Sequence, residues 1–109
     1  MKFIAITGIR SEYDILYPII DELRSANHQI SVVISGAHLS EVHGNTYTHV
    51  VNDGFTVADS IDTFFSTDRS VQRSKGVAML IQGLTQTVER EKPDFLIVVG
   101  DREESIATA

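Results

Sequence analysis

The sequence contains no cysteine, which excludes disulfide bridges and thiolate metal sites. It also lacks an excess of positive charge: 9 lysines and arginines stand against 15 aspartates and glutamates, and the formal net charge is −6. Nonspecific nucleic-acid binding depends on a basic surface, so the acidic balance argues against it. A small anionic ligand remains possible, because a helix N-terminus or a single arginine acts locally.

Long hydrophobic runs are missing as well. The apolar stretch at the N-terminus is short and is interrupted by Gly8 and Arg10, unlike the apolar region of a signal peptide. No segment approaches the ~20 apolar residues that a membrane-spanning helix needs. We therefore expect no membrane partner and a cytoplasmic location.

What is present is the composition of one small globular domain. Hydrophobic residues make up 42% of the 109 residues, so a real core is possible. Short β-branched or apolar runs predict strands at 3–7, 30–34, 55–58 and 95–99. Between them, helical spacing of apolar residues predicts helices from Ser11, from Thr46 and over 71–90. The order β-α-β-α-β-α-β predicts an α/β fold with a parallel sheet and helices on both faces.

Local signals refine these elements. Ser11 can cap the first helix, with Asp14 as the acid of a capping box, and Pro18 should bend that helix or delay its regular part. Gly54 tolerates the left-handed conformation that ends the second helix. Gly76 and Gly83 lie inside the third helix and favour close packing on the sheet.

In sheets of this class, ligands bind beyond the carboxyl ends of the strands. Polar residues follow three of the predicted strands: Arg10, His38, and the pair Asp101 and Arg102. Arg10 and the amides of its turn can hold a phosphate or sugar oxygen, or the turn is an ordinary strand-to-helix connection. Asp101 can act as a general acid or base, or it caps the next helix. The residues by themselves leave both questions open.

The four histidines show no metal-binding spacing, and we expect no metal site. His38 is the candidate among them because it follows a strand and Gly36, and a loop histidine without a functional role is an equally good alternative. The pair Glu103 and Glu104 is better explained as favourable charge in a first helical turn than as a catalytic pair. The residues from 103 to 109 read as the start of another helix without a stop signal, so we expect 1–109 to be an incomplete domain.

Four motifs together resemble one family. Residues 7–14, Thr-Gly-Ile-Arg-Ser-Glu-Tyr-Asp, resemble the opening T-G-x-R-[AS]-[ED]-Y of hydrolysing UDP-N-acetylglucosamine 2-epimerases. Residues 36–40 are similar to the family's G-x-H-L, and 44–47 with 53–55 to its G-N-T…D-x-F. Residues 92–94 and 98–103 are similar to K-P-D…G-D-R. The order and spacing of these motifs over nearly the whole chain make the resemblance specific.

The resemblance implies a GT-B-like fold of two Rossmann-like domains with the active site between them, of which 1–109 would be most of the amino-terminal one. It implies conversion of UDP-N-acetylglucosamine and water into N-acetylmannosamine and UDP, within sialic-acid-type sugar synthesis. It implies no cofactor, and it suggests a homo-oligomer at full length. By the same resemblance Asp101 is the catalytic candidate, and the candidates for substrate binding are Arg10, Asp14, His38, Asn45 and Arg102.

Two alternatives stay open. A nucleotide-sugar-binding module could keep the fold without the reaction. A non-hydrolysing epimerase is the other alternative, but Ser11 and Arg102 depart from that branch, which usually shows proline after the first arginine. The sequence also leaves open whether the sugar is UDP- or GDP-linked, and whether it is N-acetylglucosamine or a 2,4-diacetamido sugar.

Overall fold

The computed structural model describes residues 1–8, 10–35, 47–61, 70–99 and 108. Its elements in chain order are β1 (Lys2–Thr7), α1 (Arg10–Ser25), β2 (Gln29–Ser35), α2 (Tyr47–Asn52), β3 (Thr56–Ile61), α3 (Ser70–Glu91) and β4 (Phe95–Ile97). This is the predicted alternation. The four strands form one sheet in the order β3-β2-β1-β4, and every pairing is parallel.

The two faces of the sheet carry separate hydrophobic clusters, as a sheet with helices on both sides requires. On one face, α1 and α2 pack on the sheet through residues that include Leu16, Ile20 and Val50. On the other face, α3 packs through Leu80 and Leu84. The predicted parallel α/β fold with helices on both faces is therefore confirmed.

The central strands are built from residues that stay out of water on both sides. Ile4 to Thr7 in β1 and Val32 to Ser35 in β2 are all buried. Such continuous burial is typical of parallel strands covered by helices. It explains why these runs are β-branched and apolar without alternation.

The last strand is shorter than predicted. The run from 95 to 99 predicts a five-residue buried strand, but β4 ends at Ile97 and Phe95 is 52% exposed. Within the described residues β4 pairs with β1 alone, from Phe3↔Phe95 to Ala5↔Ile97. Apolar composition alone therefore did not fix the length of this strand.

Helix α1 also differs from its prediction in detail. It begins at Arg10 and runs through Pro18, so the proline does not delay its regular part. Ser11 lies inside the helix and is therefore not its cap. Of the predicted apolar stripe, Leu16 and Ile20 are buried while Ile15 and Ile19 are 60% and 46% exposed. Those two residues lie on the side of the helix that faces away from the sheet.

The ends of the helices follow known backbone chemistry. After α1, Asn27 has φ 69°, His28 N donates to Leu23 O and Asn27 N donates to Arg24 O, which is the Schellman motif. Gly54 ends α2 with φ 86°, as predicted for that glycine. The close approach predicted for Gly83 is also present: a Cβ there would lie 2.7 Å from Ile61 Cδ1.

Strand β3 contains a bulge that the sequence analysis did not predict. Val32 pairs with Val57 and Val33 pairs with Asp59, so Ala58 is the extra residue. The Ala58 carbonyl accepts a hydrogen bond from Arg90 Nη2 at 2.8 Å. The bulge thus turns Asp59 toward α3, where Thr87 Oγ1 donates to its Oδ2 at 2.7 Å.

Candidate functional site

The strand order places a switch point between β1 and β4. From β1 the chain first adds β2 and β3 on one side, and then returns to add β4 on the other. At such a point the connections leave the sheet in opposite directions, which opens a crevice beyond the carboxyl ends of the strands. Thr7 and Ile97 end the two strands that flank this point. The fold therefore puts the candidate site at this edge.

The turn from β1 to α1 is closed by a buried carboxylate. Gly8 N donates to Glu12 Oε1 at 2.8 Å, and Glu12 is only 5% exposed. Glu12 is the acidic residue of the first turn of α1, where a negative charge complements the helix dipole. Glu12 therefore takes the part of the capping-box acid, which the sequence analysis gave to Asp14. The signal was available, since Glu12 is the third residue of the observed helix.

A buried hydroxyl ends the neighbouring strand. Ser35 closes β2 and is fully buried, and its Oγ has no hydrogen-bond partner among the described residues. Ser35 is the last described residue before the segment that contains His38. A buried polar atom of this kind costs free energy until it is satisfied. Sequence analysis passed over Ser35 because it reads as part of the strand.

The predicted site residues are only partly within the described part of the chain. Arg10 is the first residue of α1, so its backbone lies at the candidate site, while its side chain is outside the description. Asp14 is exposed, one turn further along the same helix. The remaining predictions lie outside the described residues: His38, Asn45, Asp101 and Arg102. The structure therefore tests none of the predicted side-chain roles.

A second polar network was missed by sequence analysis. Tyr13 Oη donates to Asp53 Oδ2 at 2.5 Å, which joins the start of α1 to the end of α2. Arg24 Nη1 donates to the Asp53 carbonyl at 2.9 Å, and its guanidinium lies 4.1 Å from the centre of the Phe55 ring. Burial, and then the hydrogen bond with the Asp53 carboxylate, raise the pKa of Tyr13 well above its ordinary value. The tyrosine is therefore a neutral structural donor at physiological pH.

The opposite edge of the sheet carries a groove of about 390 Å³ that includes Lys2, Arg24, Gln29 and Phe55 in its lining. Its cations are already engaged. Lys2 Nζ donates to the Glu91 carbonyl at 2.7 Å, and Arg24 Nη2 pairs with Asp21 at 2.7 Å. Because the groove lies at the amino ends of the strands, it is not the position where this fold class binds its ligands.

Within the described ranges, no three histidine or acidic side chains come together in a way that could hold a metal ion. In the same ranges, none of the helices combines the length and the apolar character needed to cross a bilayer.

Comparison with known proteins identifies relatives of the chain. The family model described as UDP-N-acetylglucosamine 2-epimerase matches residues 21–109. A UDP-N,N'-diacetylbacillosamine 2-epimerase (hydrolyzing) from Legionella pneumophila is 28% identical over 99% of this chain. A GDP/UDP-N,N'-diacetylbacillosamine 2-epimerase (hydrolyzing) from Campylobacter jejuni is 24% identical over the same share. The chain spans only 29% and 28% of the lengths of these two relatives.

The fold has a counterpart among crystal structures. A Listeria monocytogenes protein assigned as a UDP-N-acetylglucosamine 2-epimerase superposes with a TM-score of 0.79 at 20% identity. The match covers 98% of this chain and 27% of the Listeria chain. At 20% identity this structural similarity supports the fold alone. It agrees with the Rossmann-like arrangement of the sheet.

Proposed function

The chain belongs to the UDP-N-acetylglucosamine 2-epimerase family, and from that premise we propose that it forms the amino-terminal Rossmann-like domain of a hydrolysing nucleotide-sugar 2-epimerase. The observation that carries the proposal is the match of the family over 21–109. The printed names of two curated relatives, both hydrolysing enzymes, support the hydrolysing type. The domain contributes one wall of the active site, and the rest of the protein supplies the other.

The proposed reaction has two steps, the elimination of UDP and the addition of water. A base removes the proton at C2 of the sugar while the bond between C1 and the UDP oxygen breaks, which releases UDP and leaves a 2-acetamidoglycal. Water then adds across the C1–C2 double bond. Its hydroxyl goes to C1, and a proton is added to C2 on the face opposite to the one from which the first proton was removed, which inverts C2. A positioned carboxylate is suited to such proton transfers. We propose Asp101, which follows β4 in the sequence, for this role.

The substrate we propose is a UDP-linked 2-acetamido sugar. Both curated relatives are named for N,N'-diacetylbacillosamine, which favours a 2,4-diacetamido sugar over N-acetylglucosamine. We further propose that Arg10 binds the diphosphate, because it begins α1 directly after the carboxyl end of β1. Asp14, His38, Asn45 and Arg102 are proposed to line the cleft. At full length the enzyme is proposed to be a homo-oligomer that works without a cofactor.

The test uses the full-length protein in deuterated water with UDP-N,N'-diacetylbacillosamine and, separately, UDP-N-acetylglucosamine, followed by proton NMR. Free UDP together with the C2-epimeric free sugar, deuterated at C2, is the expected result. Exchange at C2 while the sugar stays on UDP would replace the proposal with the non-hydrolysing reaction. If neither sugar changes, and the GDP-linked sugars do not change either, the hydrolysing reaction is wrong and the alternative of a nucleotide-sugar-binding module is favoured.

The role of Asp101 is tested in the same assay. Asp101→Asn keeps the size of the side chain and removes its basicity, so kcat should fall by a factor of about 100 or more. Arg102→Lys, at the neighbouring position, is expected to act mainly on KM. Equal kcat in the wild type and Asp101→Asn would rule out proton transfer by Asp101.

A further inference from the structure

We propose that Glu12 is a positioning residue of the nucleotide-sugar site, which acts by fixing the turn between β1 and α1. This inference rests on the proposed function, because it concerns how that turn meets the substrate. It goes beyond the family resemblance, in which the roles proposed for this turn fall to Arg10 and Asp14.

The geometry ties the end of a strand to the start of a helix. Thr7 is the last residue of β1 and is fully buried. Gly8 follows it, is buried too, and donates its amide hydrogen to Glu12 Oε1 at 2.8 Å in a buried hydrogen bond. The bond spans four residues and encloses the position from which α1 starts at Arg10. The carboxylate thus sets the direction in which the first turn leaves the sheet.

A solely structural cap would not need this residue. Exposed Ser, Asp or Asn side chains cap helices at little cost, whereas a carboxylate that is 5% exposed carries a desolvation penalty. The penalty is explained if the turn must be held in one conformation before the substrate arrives, since preorganisation reduces the ordering cost of binding.

The test compares Glu12→Gln with Glu12→Asp in the full-length enzyme. Gln keeps the length of the side chain and an oxygen that accepts from Gly8 N, but it removes the charge. Asp keeps the charge but is one methylene too short to reach. Glu22→Gln is the matched control, because Glu22 is an exposed glutamate on the same helix. The readouts are kcat and KM for the active UDP-sugar, the Kd of UDP by calorimetry, and amide exchange at Gly8.

If Glu12 positions the turn, Glu12→Gln and the control should keep KM within about threefold of the wild-type value. Glu12→Asp should raise KM and the Kd of UDP about tenfold and leave kcat nearly unchanged. The amide of Gly8 should also exchange faster in Glu12→Asp. If Glu12→Gln instead lowers kcat more than Glu12→Asp does, the carboxylate takes part in the chemistry and the proposal is overturned. If neither variant moves KM or the Kd of UDP, Glu12 is only a helix cap.

Failure of the proposed function would look different. A wild-type protein that releases no UDP from any of the sugars would remove the hydrolysing reaction. Calorimetry with UDP on the same variants would still test Glu12, because a weaker Kd in Glu12→Asp than in Glu12→Gln supports the positioning role without any turnover.

Discussion

Gly83 in α3 and Ile61 at the end of β3 lie against each other so closely that a Cβ on the glycine would be 2.7 Å from Ile61 Cδ1 and 3.0 Å from its Cγ1. The isoleucine side chain fills the space that any other residue at 83 would occupy. This contact sets how near α3 lies to the edge of the sheet at the carboxyl end of β3.

Gly83→Ala should lower the free energy of unfolding despite better helix propensity. Alanine gains about 1 kcal/mol in a helix interior, but overpacking costs about 1 to 3 kcal/mol. Urea denaturation of the wild type, Gly83→Ala, Ile61→Val and the double variant measures the coupling. Because Ile61→Val removes the Cδ1 methyl, the alanine should cost less in the double variant. Simple additivity of the two changes would contradict the close contact.

Tyr13 should give the stability a distinct dependence on alkaline pH. Its pKa is raised from 10.0 by burial and by the hydrogen bond with Asp53, so the folded state holds the phenol proton to higher pH than the unfolded state. The stabilisation is therefore complete below pH ~10 and falls above it by about 1.4 kcal/mol per pH unit.

The comparison for this prediction is Tyr13→Phe. It should be less stable at neutral pH by about 1.5 to 3 kcal/mol, because a buried hydrogen bond to a carboxylate is lost. Above pH ~10 its stability should fall less steeply than that of the wild type. Parallel curves for the two proteins, measured by denaturant titration at each pH, would show that Tyr13 titrates normally.

Thr87 should contribute far more to stability than Thr85, although each hydroxyl also lies within hydrogen-bond distance of a carbonyl one turn earlier in α3. Thr87 is fully buried and donates to Asp59 at 2.7 Å. Thr85 is exposed and donates to the Ile81 carbonyl at 2.7 Å. Thr87→Val should cost about 1 to 3 kcal/mol of stability, because the Asp59 carboxylate loses its buried donor.

Thr85→Val is the matched control and should change stability by less than about 0.5 kcal/mol. Thermal and urea unfolding of both variants check the pair. Equal losses in the two variants would mean that the bond between α3 and the bulge of β3 contributes nothing of its own.

Lys92→Gly should stabilise the protein. Lys92 follows α3 with φ 49°, a left-handed conformation that costs a residue with a side chain roughly 1 kcal/mol and costs glycine little. Lys92→Ala keeps the strain and removes the charge, so it separates the two effects. A loss of stability in Lys92→Gly, beyond that in Lys92→Ala, would show that the greater freedom of glycine in the unfolded chain outweighs the relief of strain.

The class of fold could be predicted from the residues alone, because a strand buried on both faces needs an uninterrupted β-branched run such as 30–34, and the segments between the strands show helical spacing. It also indicated the left-handed turn at Gly54 and the close approach at Gly83, since glycine tolerates both better than any other residue. The motifs that resemble the epimerase family were likewise readable in the sequence alone.

Features that depend on neighbours distant in the chain were fixed only when the elements packed together. The burial of Leu16 but not Ile15 follows from how α1 lies on the sheet. The bulge at Ala58 follows from how β3 pairs with β2. The bond of Tyr13 with Asp53 joins residues 40 positions apart, and the buried bond from Gly8 to Glu12 depends on where α1 begins. The spacing of apolar residues in the sequence indicates which residues can be buried. Which residues they contact is fixed only when the helices and strands pack together.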